Sequence, residues 1–463
     1  MINNLNHFMS SKYIVIYKQL KKSILEGIYP AQTPLPSSRI LAKNLGVSRN
    51  TILEAFAHLE DEGYVEGIHG SGVYVKNLPK VHLNLWDDQK KQEHFRYEKL
   101  QTKNLNPFKP GEPDVSLFPF HLFSKISGIC YRELRNTHYY YEDSLGFLPL
   151  REAIAGYLTL KRQVNCHAEQ IMIVNGSQEA IFLCGQILIQ KNTKVFLEDP
   201  SYKLARRIFE ERQARVYPIP VDHNGMQIEK ITPDKNSIVY ITPSHQFPLG
   251  STMSIERRLK LLEMAQDNDM SIMEDDYDSD FRYTGEPLSS LQGIGSADHV
   301  IYIGTLSKIF FPAIRIGFCV LPYKFIDQFL DKRKLMNRQP AIMNQAVVAH
   351  FMEKGYIYKH IKKMHTIYKM RRDFLYSIVQ KKLSAYLTIK ISDSGLHLVA
   401  FFKNKYDKNV LKNKAIKMKL NLIFISDYCH NEINEDGFVL GFSTFETKVL
   451  EKAVCDLLEV FKS

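Results

Sequence analysis

Residues 302–318 read YIGTLSKIFFPAIRIGF. The β-branched run HVIYI (299–303) ends in Gly-Thr-Leu-Ser, and one ammonium, Lys308, follows before a second apolar run, RIGFCVL (315–321). A charge placed between segments patterned for burial costs desolvation, so such a lysine needs a use. Working outward, IMIV (171–174), KVFL (194–197), SIVYI (237–241) and SIMED (271–275) are further short apolar runs, and helical patterns lie between them. That alternation predicts an α/β fold from about residue 107: an open, mostly parallel sheet covered by helices. From about 355, Lys-rich helices mix with LHLVAFF and GFVLGF, which predicts a smaller C-terminal α+β lobe.

In an open α/β sheet ligands sit beyond the carboxyl ends of strands. The residues at those ends are polar and diverse. IMIV leads into Asn175, Gly176, Ser177 and Gln178 before a helical pattern, a helix N-terminus suited to a phosphate. KVFL leads to Tyr202, SIVYI to Ser244, His245 and Gln246, SIMED to Asp275 and Tyr277, and HVIYI to Thr305 and Lys308. Taken singly, each is an ordinary loop, turn or cap. Together they match one ligand, a pyridine ring bearing a phosphate and an aldehyde. Pyridoxal 5'-phosphate needs a Schiff-base lysine (Lys308), a carboxylate facing the ring nitrogen (Asp275), a donor to the ring oxygen (Tyr277) and phosphate ligands. Gly176, Ser177, Thr305 and Arg315 suit the last role, Arg315 through its fixed charge and planar donors.

The N-terminal 78 residues follow another pattern. Amphipathic helices are expected at YIVIYKQLKKSILEG, SSRILAKNLG and SRNTILEAFAHLEDEG, followed by a hairpin, YVEGIHGSGVYV. The turn Leu45-Gly46-Val47 and the N-cap Ser48 make the second and third helices a helix-turn-helix. That geometry sets Ser48, Arg49, Asn50 and Thr51 at a major groove, with the hairpin tip at Gly70, Ser71 and Gly72 as a wing. A three-helix protein-interaction module could use the same turn. Residues 79–106 are polar and charge-mixed and read as a linker before the domain spanning 107–463.

Bulk properties set limits. A chain of 463 residues is long enough for two or three domains and a deep site. Its net charge of +11 permits nucleic acid, but eight Lys/Arg against six Asp/Glu in the first 78 residues is weak evidence, so a DNA claim rests on pattern. The six cysteines lie far apart without Cys-x-x-Cys spacing; they read as reduced core residues, with no metal site. No basic, apolar leader opens the chain and no run reaches the roughly 20 apolar residues of a membrane span, so a cytoplasmic protein is expected.

LPSSRILAKNLGVSRNTILEAFAHLEDEGYVEGIHGSGVYV resembles the winged helix of GntR-type bacterial regulators. The resemblance implies that Arg39, Lys43, Ser48, Arg49, Thr51 and the wing at Ser71 and Gly72 contact operator DNA. PGEPDVSLFP (110–119), YYEDSLGFLPLREAIAGYL (140–158), NGSQEA (175–180), TPSHQFPLG (242–250), EDDYDSDFRY (274–283) and GTLSKIFFPAIRIGF (304–318) resemble fold-type I aminotransferases. More narrowly, the whole is similar to the MocR/GabR subfamily of regulators. That resemblance implies a head-to-tail homodimer, Lys308 as Schiff-base lysine, and Tyr202 beside the ring. It also implies Asp275 and Tyr277 as ring partners and Thr305 and Arg315 as phosphate ligands, beside the helix N-terminus at Gly176, Ser177 and Gln178.

The sequence departs from that pattern in places. Val439 in GFVLGF stands where relatives carry the arginine that clamps a substrate carboxylate, and no arginine follows Arg372. Leu204 stands where some amino-acid-sensing relatives carry another, with Arg206 and Arg207 close by. Phe247 replaces the asparagine of ordinary aminotransferases, so its contact to the ring oxygen is either lost or taken over by His245 or Gln246. Three readings remain: a regulator sensing pyridoxal phosphate, as in the PdxR branch controlling vitamin B6 synthesis; a regulator sensing an amino acid condensed with the cofactor; or an aminotransferase with a DNA-binding appendage. The Lys-rich segment 403–419 reads as a solvated face.

Overall fold

The structure, a computed structural model, describes residues 12–79, 106–141, 143–295, 298–433 and 435–462. The chain divides into two compact units, residues 1–102 and 103–463. Most of the expected linker, and the N-terminus read for a leader, lie outside the described residues.

In the first unit three helices, α1 (Lys12–Leu25), α2 (Ser38–Leu45) and α3 (Arg49–Asp61), precede a hairpin of β1 (Val65–Ile68) and β2 (Gly72–Val75). Ile16, Leu20 and Ile24 recur at helical spacing on α1 and bury against Ile52, Ala55, Phe56 and Leu59 of α3. Leu41 and the hairpin's Val65 and Val75 close this core. Gly46, left-handed at φ 63°, ends α2, and Ser48 caps α3 by accepting from the Thr51 amide at 3.2 Å.

The second unit begins with α4 (Phe120–Glu133) and α5 (Leu148–Arg162), then β3 (Ile171–Val174), α6 (Ser177–Leu188), β4 (Lys194–Asp199) and α7 (Lys203–Glu211). The antiparallel pair β5 (Arg215–Asp222) and β6 (Gly225–Met226) follows, then β7 (Ile238–Ile241), α8 (Ile255–Asp267), β8 (Ser271–Asp276) and the single turn α9 (Leu291–Ile294). β9 (Val300–Thr305), β10 (Gly317–Val320), α10 (Ile326–Met336) and α11 (Ile342–Glu353) complete the large lobe. Its eight strands run in the order β3-β10-β9-β8-β7-β4-β5-β6, parallel from β9 through β5.

Successive sheet residues alternate between two cores. Ile171 and Ile173 face α4, α5 and α11, whereas Met172 and Val174 face α6, α7 and α10. β10 is antiparallel to both neighbours, and Gly317 pairs with Val174 on one side and Thr305 on the other. The ends of β3 and β9 therefore share one sheet edge with the start of β10. This register brings Gly176, Thr305 and Arg315 together. All six expected strands are present. β5 and β6 escaped the sequence reading because Pro218 and Pro220 interrupt β5 and break its strand pattern.

The small lobe opens with the 28-residue helix α12 (Tyr356–Leu383). It continues through β11 (Leu387–Lys390), β12 (His397–Phe402), α13 (Lys408–Lys417), β13 (Ile423–Phe424), β14 (Gly437–Gly441) and α14 (Thr447–Lys462). The antiparallel sheet, ordered β11-β12-β14-β13, buries Leu398, Ala400, Phe438 and Leu440 under α12 and α14. No described helix is long and apolar enough to cross a membrane, and no described cluster of His, Cys, Asp or Glu could hold a metal.

Candidate functional site

In the first unit Arg39 and Lys43 lie exposed one turn apart on α2, and Ser48 and Arg49 lie exposed at the start of α3. Thr51 is half-buried, and its hydroxyl lies 2.8 Å from Ser48 Oγ. Arg49 Nε donates to Ser38 Oγ at 3.2 Å, tying the two helix starts together. At the wing tip Gly70 and Gly72 take φ of 78° and 121°, and Ser71 Oγ lies 2.7 Å from Tyr74 Oη. The expected DNA-facing residues thus form three exposed clusters, on α2, at the start of α3 and at the hairpin tip.

In the second unit the strand ends open on a cavity of about 390 Å³ lined by Gly176, Ser177, Gln178, Tyr202, Asp275, Tyr277, Thr305, Lys308 and Arg315. Nine of the ten residues expected at the cofactor share this wall.

Lys308 lies in the connection from β9 to β10. Burial lowers its pKa, opposed by the charges of Asp278, Glu112 and Asp275, and its Nζ donates to the Gly111 carbonyl. Gly111 sits at φ +71°, where a Cβ would lie 3.2 Å from Nζ, so glycine leaves the amine room.

Asp275, near the end of β8, is buried, and desolvation pushes its carboxyl up to about 7. Its Oδ2 accepts from Tyr240 Oη at 2.5 Å, while Oδ1 is buried without a partner. A buried acceptor left open costs about 1–3 kcal/mol, and a ring N–H would satisfy it. At the opposite end, Gly176 caps α6 at φ 96°, exposing the first amides of that helix. Arg315, left-handed at φ 52°, donates to the Asn175 carbonyl, and a Cβ on Gly176 would come within 3.1 Å of its guanidinium. Thr305 Oγ1 lies 3.0 Å from Ser307 Oγ, adding two hydroxyls. An unsatisfied carboxylate oxygen at one end, an anion cradle at the other and an amine between them fit pyridoxal phosphate.

His245 does not line this cavity. Its ring stands behind Tyr277, whose Oη is 3.0 Å from His245 Nδ1. The same nitrogen is 3.0 Å from both oxygens of buried Asp278, and Nε2 is 3.1 Å from Ser392 Oγ. Because a carboxylate only accepts, Asp278 requires the proton on Nδ1. Tyr277 oxygen can then share that N–H and keep its own proton for the cavity. The expected direct contact from His245 is therefore replaced by a supporting one. Gln246 is committed as well, bonding the carbonyls of Pro200 and Phe247 at 2.8 Å.

The departures also have places. Val439 is fully buried with Val399 and Ile425, packed against Leu249 and Tyr428. Arg206 reaches the Cys429 carbonyl and His430 Nδ1, Arg207 is exposed, and neither lines the cavity. Sequence reading missed Gly111, Tyr240, Ser307, Phe247 and Tyr428. Of these, Gly111, Tyr240, Ser307 and Phe247 lay inside quoted segments, Tyr240 within a strand, where an inward tyrosine looks like core.

The description "Aminotransferase class I and II" matches residues 133–426, and "Bacterial regulatory proteins, gntR family" matches residues 12–75. The chain is 32% identical to the probable rhizopine catabolism regulatory protein MocR of Rhizobium meliloti, over 96% of this chain and 93% of that one. It is 27% identical to the pyridoxine biosynthesis transcriptional regulator PdxR of Corynebacterium glutamicum, over 95% and 94%. A kynurenine aminotransferase structure from Pyrococcus horikoshii superposes with a TM-score of 0.71 at 25% identity, covering 78% of this chain and 91% of that one. Likeness over both units at this level means that the chain belongs to the MocR/GabR subfamily of GntR-type transcriptional regulators, in which a winged helix is joined to an aminotransferase-like domain.

Proposed function

We propose that this regulator senses pyridoxal phosphate itself and controls vitamin B6 synthesis genes. In this reading 1–78 binds operator DNA, 79–106 links, 107–463 binds the cofactor, and two chains pair head to tail. One observation carries it: the cavity keeps a full set of cofactor donors, but Val439, at the place of the carboxylate clamp, is sealed into an apolar cluster. Among the described residues Arg315 is the only guanidinium lining the cavity. A charge-assisted bond to a carboxylate contributes about 1.5–3 kcal/mol. Its loss weakens amino-acid binding by roughly ten- to a hundredfold or more. The name of the Corynebacterium relative points the same way.

When bound, pyridoxal phosphate supplies an aldehyde that condenses with amines and a ring that withdraws electrons. Lys308, its pKa lowered by burial, presents a neutral amine more readily than a surface lysine. Asp275 Oδ1 would hold the ring nitrogen's proton, Tyr277 would donate to the ring oxygen, and Tyr202 would flank the ring. The α6 amides at Ser177 and Gln178, with Thr305, Ser307 and Arg315, would hold the phosphate. Ligand affinity that differs between two arrangements of the dimer would then shift operator binding.

Equilibrium titration followed by visible absorbance tests the pocket. Pyridoxal phosphate should saturate the chain, and common amino acids at millimolar concentration should neither condense with it nor deplete it in the cofactor cavity. Strong cofactor tightening or depletion by one amino acid acting in the cofactor cavity would favour the amino-acid-sensing reading instead.

A further inference from the structure

A second cavity, of about 510 Å³, lies between the large lobe and the small lobe of the second unit, on the other side of the 245–250 turn from the cofactor cavity. Its inner wall is apolar: Leu249, Val399, Phe401 and Ile425. Two hydroxyls face it, Ser251 and Ser392. Ser251 Oγ is buried without a hydrogen-bond partner, so the wall holds an unmet polar group, as the cofactor cavity does at Asp275.

The charges of this cavity are of both signs. Asp222 is spent on Arg257, with two bonds of 2.7 Å. Asp199 accepts from the amides of His430 and Asn431, and Glu435 is exposed at the edge. Lys390 has no ion-pair partner among the described residues and stands 4.7 Å from the centre of the Phe401 ring.

Ser392 belongs to both cavities' surroundings. It has one proton and two acceptors, the Ser394 carbonyl at 2.8 Å and His245 Nε2 at 3.1 Å. When it donates to His245, Nε2 accepts while the Nδ1 proton faces Asp278. When it donates to Ser394, Nε2 loses that donor and the imidazole is held through Nδ1 by Asp278. His245 Nδ1 is 3.0 Å from the Tyr277 oxygen, and Tyr277 lines the cofactor cavity. The hold of Ser392 on His245 therefore sets how Tyr277 is placed to donate into that cavity.

We propose that this interlobe cleft is a second ligand site for a small zwitterion with an apolar side chain. Its carboxylate meets Lys390, its ammonium meets Asp199 and Glu435, and its side chain packs on Leu249, Val399 and Ile425. A bond from the ligand to Ser392 selects one of the two hydroxyl orientations, and His245 passes that choice to Tyr277. Cofactor and cleft ligand are then coupled reciprocally. The site does not depend on pyridoxal phosphate being the regulator's signal.

Titration calorimetry with the full, cofactor-free chain tests the site, using L-leucine as probe. Without an aldehyde present, binding cannot arise from condensation at the cofactor. Saturable binding is expected, at least tenfold weaker for L-leucinamide and for Lys390→Glu, an exposed change that leaves the core intact. No binding, or equal binding by both, overturns the site. The coupling is read on the cofactor-loaded chain with N,N-dimethyl-L-leucine, whose tertiary amine keeps its charge but forms no imine. A shift of the visible band is expected, and it should be lost in His245→Gln while L-leucine still saturates the cofactor-free variant. A full shift in His245→Gln overturns the relay.

Discussion

Asp275 carries the clearest electrostatic consequence. Its folded-state pKa, about 7, lies above the ordinary aspartate value of 3.8 because burial disfavours the charge. The protonated form is thus favoured by folding, and its stability contribution, full below about pH 4, is lost as pH rises through 7. In the cofactor-free chain Asp275→Asn should flatten the fall in stability between those limits, read by denaturant unfolding at several pH values. Pyridoxal phosphate should reverse the penalty in the parent by giving Oδ1 a proton donor. Lys308, Asp275, Tyr277 and Arg315 were legible in the sequence because polar residues stood where apolar runs stopped. Tyr240 and the support given by His245 were not, because an inward tyrosine on a strand looks like core and the Ser392 partner is 147 positions away.

At the scale of elements, the cavity depends on the turn between β3 and α6. Gly176 at φ 96° opens the helix N-terminus and leaves space for the Arg315 guanidinium. Gly176→Ala strains that backbone and pushes against Arg315, so pyridoxal phosphate affinity should fall at least tenfold while far-ultraviolet circular dichroism is retained. The strands of the parallel run were readable from apolar runs followed by polar ends. β5 was hidden by its prolines, and the reversal of β10 was hidden because periodicity carries no direction. That reversal brings Arg315 back to the edge shared by Gly176 and Thr305.

At the scale of the whole molecule, DNA contact and ligand contact belong to different units, and their coupling is the functional question. Phosphate neutralisation sets the salt dependence of binding. Arg49→Ala should reduce the slope of log affinity against log salt by about one, whereas replacing Lys405, Lys412 and Lys417 together should leave it unchanged. The latter three are exposed on the small lobe, within and beside α13. The most direct test of the central claim is the affinity of the full chain for DNA upstream of its own gene, measured by fluorescence anisotropy with and without saturating pyridoxal phosphate. The account predicts at least a tenfold change from pyridoxal phosphate alone; an unchanged affinity, with a response only when an amino acid is added, would contradict it.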